Sequence, residues 1–157
     1  MRIAITALAA AALAMAMTAT AYAQDQTKDS ASASGPAYTP ADESAGHAGD
    51  IGAIRRTMQH YLDGKDAKTA AVWARLGADK DDTACEIALA RLLSGDDLGK
   101  PDLVHAYMWA DIALAKHDPD LGPDAETLHD DLRHKVDVDQ ILDAKAAESK
   151  WRAAHRH

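Results

Sequence analysis

The stretch Asp102 to Lys116, DLVHAYMWADIALAK, constrains this chain more than any other. At helical spacing Val104, Tyr107, Met108, Ile112 and Ala115 form one apolar face. Ala106, Trp109, Ala110 and Ala113 crowd a second face beside it. A helix packed on one side shows a single apolar stripe, so a surface this wide requires neighbours on more than one side. The rest of the chain must supply elements that enclose it.

An earlier stretch has the same layout. In Lys68 to Leu76, KTAAVWARL, Ala70 matches Ala106, Trp73 matches Trp109, Ala74 matches Ala110 and Leu76 matches Ile112, each at a lag of 36 residues. A helix that recurs with the same bulky knob is the sequence sign of stacked helical repeats. Composition agrees: alanine, the best helix former, is abundant, phenylalanine is absent, and Gly and Pro sit at segment edges. The expected fold is all-α, a short α-solenoid of three antiparallel helical hairpins.

Not all of the 157 residues enter it. Met1-Arg2, the apolar run Ile3 to Met17 and Ala21-Tyr22-Ala23 before Gln24 have the layout of a secretory signal peptide over residues 1–23. The apolar run is shorter than the roughly 20 residues that span a bilayer. The expected location is therefore exported, periplasmic or secreted, with no membrane insertion after cleavage. Residues 24–47 begin QDQTKDSASASGP and show no apolar period, which reads as a disordered linker. The repeat domain is expected over 48–157. The net charge is −8, and losing Arg2 with the signal peptide takes it to −9. Such a surface repels phosphate backbones and anionic lipid, which argues against nucleic acid and membrane partners. The single cysteine, Cys85, leaves no internal disulfide to form, and its neighbours Ala84, Ile87, Ala88 and Leu89 read as a buried setting.

Six helices follow from the pattern. The first runs from Asp50 to Leu62 with Ile51, Ile54, Met58, Tyr61 and Leu62 in register, and Gly64 is expected to end it in the left-handed C′ position. The second runs from Asp66 to Gly77, capped by Asp66, with Val72, Trp73 and Leu76 as bulk. The third runs from Asp82 to Ser94, with Gly95 playing the part of Gly64. Pro101 suits the first turn of the fourth. The fifth runs from Asp124 to Val136. The sixth runs from Asp139 to Ala154, with Ile141, Leu142, Ala144, Ala147 and Trp151 on its inner face.

The second hairpin, with Ala84, Ala88, Leu89, Ala90, Leu93 and Gly95, then Gly99 and Asp102, then Ala106, Trp109 and Ala113, resembles the Sel1-like repeat family, relatives of the tetratricopeptide repeats. The run VHAYMWADIALA and the closing tail DVDQILDAKAAESKW resemble the same family's exported bacterial members. The resemblance implies a non-catalytic protein-interaction scaffold with an extended concave surface, lined by the first helix of each pair. The outward polar residues there are Arg55, Arg56, Gln59 and Arg91, and they imply a protein or peptide partner that carries carboxylates. Trp73, Trp109, Ala106, Gly64 and Gly95 are the implied structural positions of the repeat core.

No catalytic, cofactor or metal constellation is expected. His129 and His134 are five apart and do not share a helix face as an i, i+4 pair does. Around Asp118, Asp120, Asp124 and Glu126 the glycine and closing glutamate of a calcium loop are not at the required spacing. No G-x-S-x-G, Walker loop or G-x-G-x-x-G is present. Two other classes fit the composition: a small helical envelope protein holding a small ligand between helices, and a non-catalytic accessory subunit of an envelope enzyme.

Overall fold

The computed structural model of the chain describes residues 37–155. The expected signal peptide and residues 24–36 lie outside them. Within the described residues there are seven helices and no strand: α1 Pro40–His47, α2 Ile51–Asp63, α3 Ala67–Ala78, α4 Thr83–Ser94, α5 Leu103–Ala115, α6 Gly122–Arg133 and α7 Val138–Ala154. Each helix packs against its neighbour in sequence from α1 to α6, while α5 also packs against α7 and α4 against α6. The helix that the sequence cannot place on a surface is thus enclosed by α4, α6 and α7. Ala106, Tyr107, Met108, Trp109, Ala110, Ile112 and Ala113 are all buried in that position.

Aspartates start most of these helices. Asp50, Asp66, Asp82, Asp102 and Asp137 each accept a hydrogen bond from the backbone N–H three residues on, which satisfies one of the unpaired donors of a first turn. The backbones of the first four fall into two kinds, and Asp137 is fully extended at ψ 177°. Asp66 and Asp102 have ψ of 75° and 79°, whereas Asp50 and Asp82 have ψ of 109° and 112°. Similar local geometry continues through the matched stretches. Ala70 and Ala106, and Ala74 and Ala110, are fully buried, and Asp81 and His117 both take positive φ, 65° and 51°.

Trp73 and Trp109 are both buried, and each is met by an aromatic side chain from the first or the last of the described helices. Trp73 lies 4.6 Å from His47 of α1, ring centre to ring centre, and Trp109 lies 5.1 Å from Trp151 of α7. The first of these contacts corrects the expected disordered linker, which covers residues that are helical in the structure. Pro40–His47 has no apolar period to announce it. It is held instead by side chains of α2 and by a close approach: a Cβ on Gly46 would stand 2.7 Å from the Trp73 ring.

Four local expectations also change. Gly64 is right-handed at φ −74° and the left-handed turn falls on Lys65 at φ 59°, whereas Gly95 is extended, so the two glycines are not equivalent. Pro101 precedes the cap Asp102 rather than entering the first turn of α5. Val72 and Leu142 are exposed, not core, because they point off the buried faces of α3 and α7. The fifth predicted helix, α6, begins earlier than Asp124, at Gly122-Pro123.

Candidate functional site

A groove of about 370 Å³ runs between α2 and α4 and ends against the start of α6. Its floor is apolar: Met58 and Leu62 of α2, Ile87 and Leu92 of α4, and Leu121 before α6. Ala84 and Ala88 sit on the α4 wall, where their small side chains leave the space open. Gln59, Arg91, Asp97 and Asp124 supply the polar rim.

Of the four residues expected to bind a partner, the structure places Gln59 and Arg91 on this rim. Arg55 and Arg56 are engaged elsewhere. Arg55 Nε donates to both Asp82 carboxylate oxygens at 3.1 and 3.0 Å. Asp82 is nearly buried and also caps α4. Burial works against its charge, but hydrogen bonds from Arg55 and Cys85 outweigh it and hold the carboxyl below the usual range. Arg56 Nε donates to Asp42 of α1 at 3.0 Å. That bond, with one from the Thr39 backbone, lowers the Asp42 carboxyl to about 2. Neither arginine is free to leave a largely buried aspartate for an incoming carboxylate, because the aspartate would remain as an uncompensated charge.

Arg91 differs. It reaches across the end of the groove to Asp124 of α6 at 3.1 Å, and the two side chains are 56% and 62% exposed. An ion pair this open contributes only about 0–1 kcal/mol, so another carboxylate is able to replace Asp124 at small cost. Gln59 donates to Asp63 on its own helix at 2.7 Å and is likewise exposed. Four floor residues, Met58, Leu62, Ile87 and Leu92, were visible in the sequence as helix-face positions. Nothing in the local pattern marked Leu121 and Asp97, which loops bring to the groove, or showed that Asp124 in the first turn of α6 would face it.

The floor removes apolar side chains from water and the rim offers donors and acceptors. Among the described residues, no three His, Cys, Asp or Glu side chains gather as a metal site, and no helix is long and apolar enough to cross a membrane. Cys85 is wholly buried beside Asp82, and burial pushes its thiol well above the ordinary range, which leaves it unreactive. Compared with protein-family models, curated proteins and solved structures, the chain matches none.

Proposed function

We propose that the protein is an exported, non-catalytic interaction scaffold, a short solenoid of Sel1-like hairpins that binds a polypeptide partner in the groove between α2 and α4. One observation carries this reading: an open channel with an apolar floor is lined by α2 and α4 and carries an exchangeable arginine, Arg91, at its end. The first helices of successive hairpins are the ones the family resemblance assigns to a concave binding face. The recurrence of cap geometry at Asp66 and Asp102, and of buried tryptophans at the matched positions, supports the repeat interpretation. The partner's apolar side chains would fill the space over Ala84 and Ala88, and a carboxylate would take Arg91 from Asp124.

Site-specific photocrosslinking tests it in the cells that make the protein. A crosslinker at Ala88 should capture one discrete polypeptide, and Ala84→Arg, which fills the groove, should abolish that adduct. A crosslinker at exposed Val72 should not give it. No adduct at Ala88, or the same adduct from both positions, would refute the groove as the binding face.

A second reading draws on α7, where Val138 and Leu142 are exposed one helical turn apart. Such a pair is what docking of an accessory subunit onto a larger protein would use. An adduct from Leu142 and none from Ala88 would favour it.

A further inference from the structure

The last described helix, α7, packs chiefly against α5, and its opposite face is open. Val138, Leu142, Ala146, Ser149 and Ala153 recur there every three or four residues, all exposed, and form one stripe along the helix. Among the described residues the exposed large apolar side chains are Val72, Val138 and Leu142, so the stripe holds two of the three. Its N-terminal half is bulky, and its C-terminal half is small enough to let another helix approach closely. Bulk at one end and small side chains at the other are self-complementary when two copies run antiparallel. With a two-fold axis between positions 145 and 146, Val138 of one copy lies over Ala153 of the other, and Leu142 over Ser149.

The charges fit the same register. Asp139, Asp143 and Lys150 lie along one edge of the stripe, all exposed, and none has an ion-pair partner among the described residues. In an antiparallel pair like edges face each other, so Lys150 of each copy falls between Asp139 and Asp143 of the other. The opposite edge carries Lys145 and Arg152, whose charges are met within the chain. Lys145 pairs with Asp111 and Glu148, and Arg152 pairs with Glu148 at 2.7 Å.

We infer that two copies of this chain associate through α7, antiparallel about a two-fold axis beside Ala146. Charge complementarity selects a second copy as the occupant. Two acids and a lysine that stay unpaired within one molecule become two three-membered clusters, one on each side of the axis, as an isologous interface requires. A parallel pair would instead bring Lys150 beside Arg152 of the other copy. The α2–α4 groove lies on other helices, so this interface stands whether or not that groove binds a partner.

The test is sedimentation velocity on the full chain at about 1 to 200 μM. One helix against another is a small interface, so half-association is expected near about 10 μM. Lys150→Asp, and the double variant Asp139→Lys with Asp143→Lys, should each self-associate at least about tenfold more weakly, because like charges then face each other. Mixed in equal amounts, the two variants should form a heterodimer, as the antiparallel register requires. Ala146→Cys treated with diamide should give a disulfide-linked dimer, since the native Cys85 is buried, and Val72→Cys should not. Ala88→Arg should leave association unchanged. Five results would overturn the assignment: a monomer over the whole range, undiminished association of either charge variant, no heterodimer on mixing, no disulfide dimer from Ala146→Cys, and loss of association in Ala88→Arg. A monomer whose Leu142 crosslinks to a different protein would give this face to that protein instead.

Discussion

Glu86, fully buried on α4, accepts a hydrogen bond at 2.7 Å from the Lys116 ammonium, which closes the C-terminus of α5 and also donates to the Asp81 carbonyl at 2.7 Å. Burial raises the Glu86 carboxyl to about 7 despite the lysine. The folded chain therefore keeps a proton that the unfolded chain gives up near the ordinary glutamate value of 4.5. The stabilising contribution is fully present below about 4.5 and is lost as pH rises through about 7. Glu86→Gln should flatten the fall in melting temperature between these two pH values. A variant with the wild-type slope would show that Glu86 does not titrate there.

Trp109→Ala removes the largest fully buried side chain among the described residues and the edge contact with Trp151. It should cost about 3–5 kcal/mol in denaturant unfolding. It should also move the Trp151 emission to the red, since α7 loses the ring it rests on. A midpoint near that of the wild type would contradict the burial of Trp109.

Gly77 permits α3 and α4 to touch. A Cβ there would overlap Cys85 Sγ, stand 2.7 Å from Cys85 Cβ and lie 3.2 Å from Ile54. Gly77→Ala gains up to about 1 kcal/mol of helix propensity, but overpacking a closed core costs about 1–3 kcal/mol. Net destabilisation is expected in thermal unfolding, eased in the double variant with Cys85→Ala. Stabilisation by Gly77→Ala alone would mean that the two helices part freely.

Arg56→Gln should release α1. Asp42 would lose its counter-charge, and the contacts of Gly46 and His47 with Trp73 would loosen. Amide exchange over residues 40–47 should rise while that of α5 stays unchanged. Acid should do the same to the wild-type chain: the pair's contribution is present above about 3.8 and is lost as pH falls through about 2. Unaltered exchange over 40–47 would show that α1 is held by other contacts.

The capped helices were legible because their signals are local. Asp66 and Asp82 precede apolar periods, and a cap needs only the next three residues; Asp102 was missed as a cap because Pro101 before it reads as a first-turn residue. The enclosed character of α5 was legible for the same reason. What escaped depends on distant partners. Arg55 meets Asp82 27 positions away, Arg56 meets Asp42 14 away and Arg91 meets Asp124 33 away, so no helix-face pattern separates the two committed arginines from the exchangeable one. The turns escaped because Lys65, Asp81 and His117, rather than glycines, carry the left-handed backbone. The helix α1 escaped because a glycine under an indole leaves no periodic trace.

The matched backbones at Asp66 and Asp102 have a practical consequence. Cap angles within about ten degrees of each other, and a left-handed residue at each far end, make the two stretches interchangeable at their junctions. A gene in which Asp102–His117 is spliced in place of Asp66–Asp81 would ask neither joint for a torsion it does not already hold. Molecules built on such joints can be shuffled as modules, and new binding surfaces can arise by exchange of whole units rather than residue by residue.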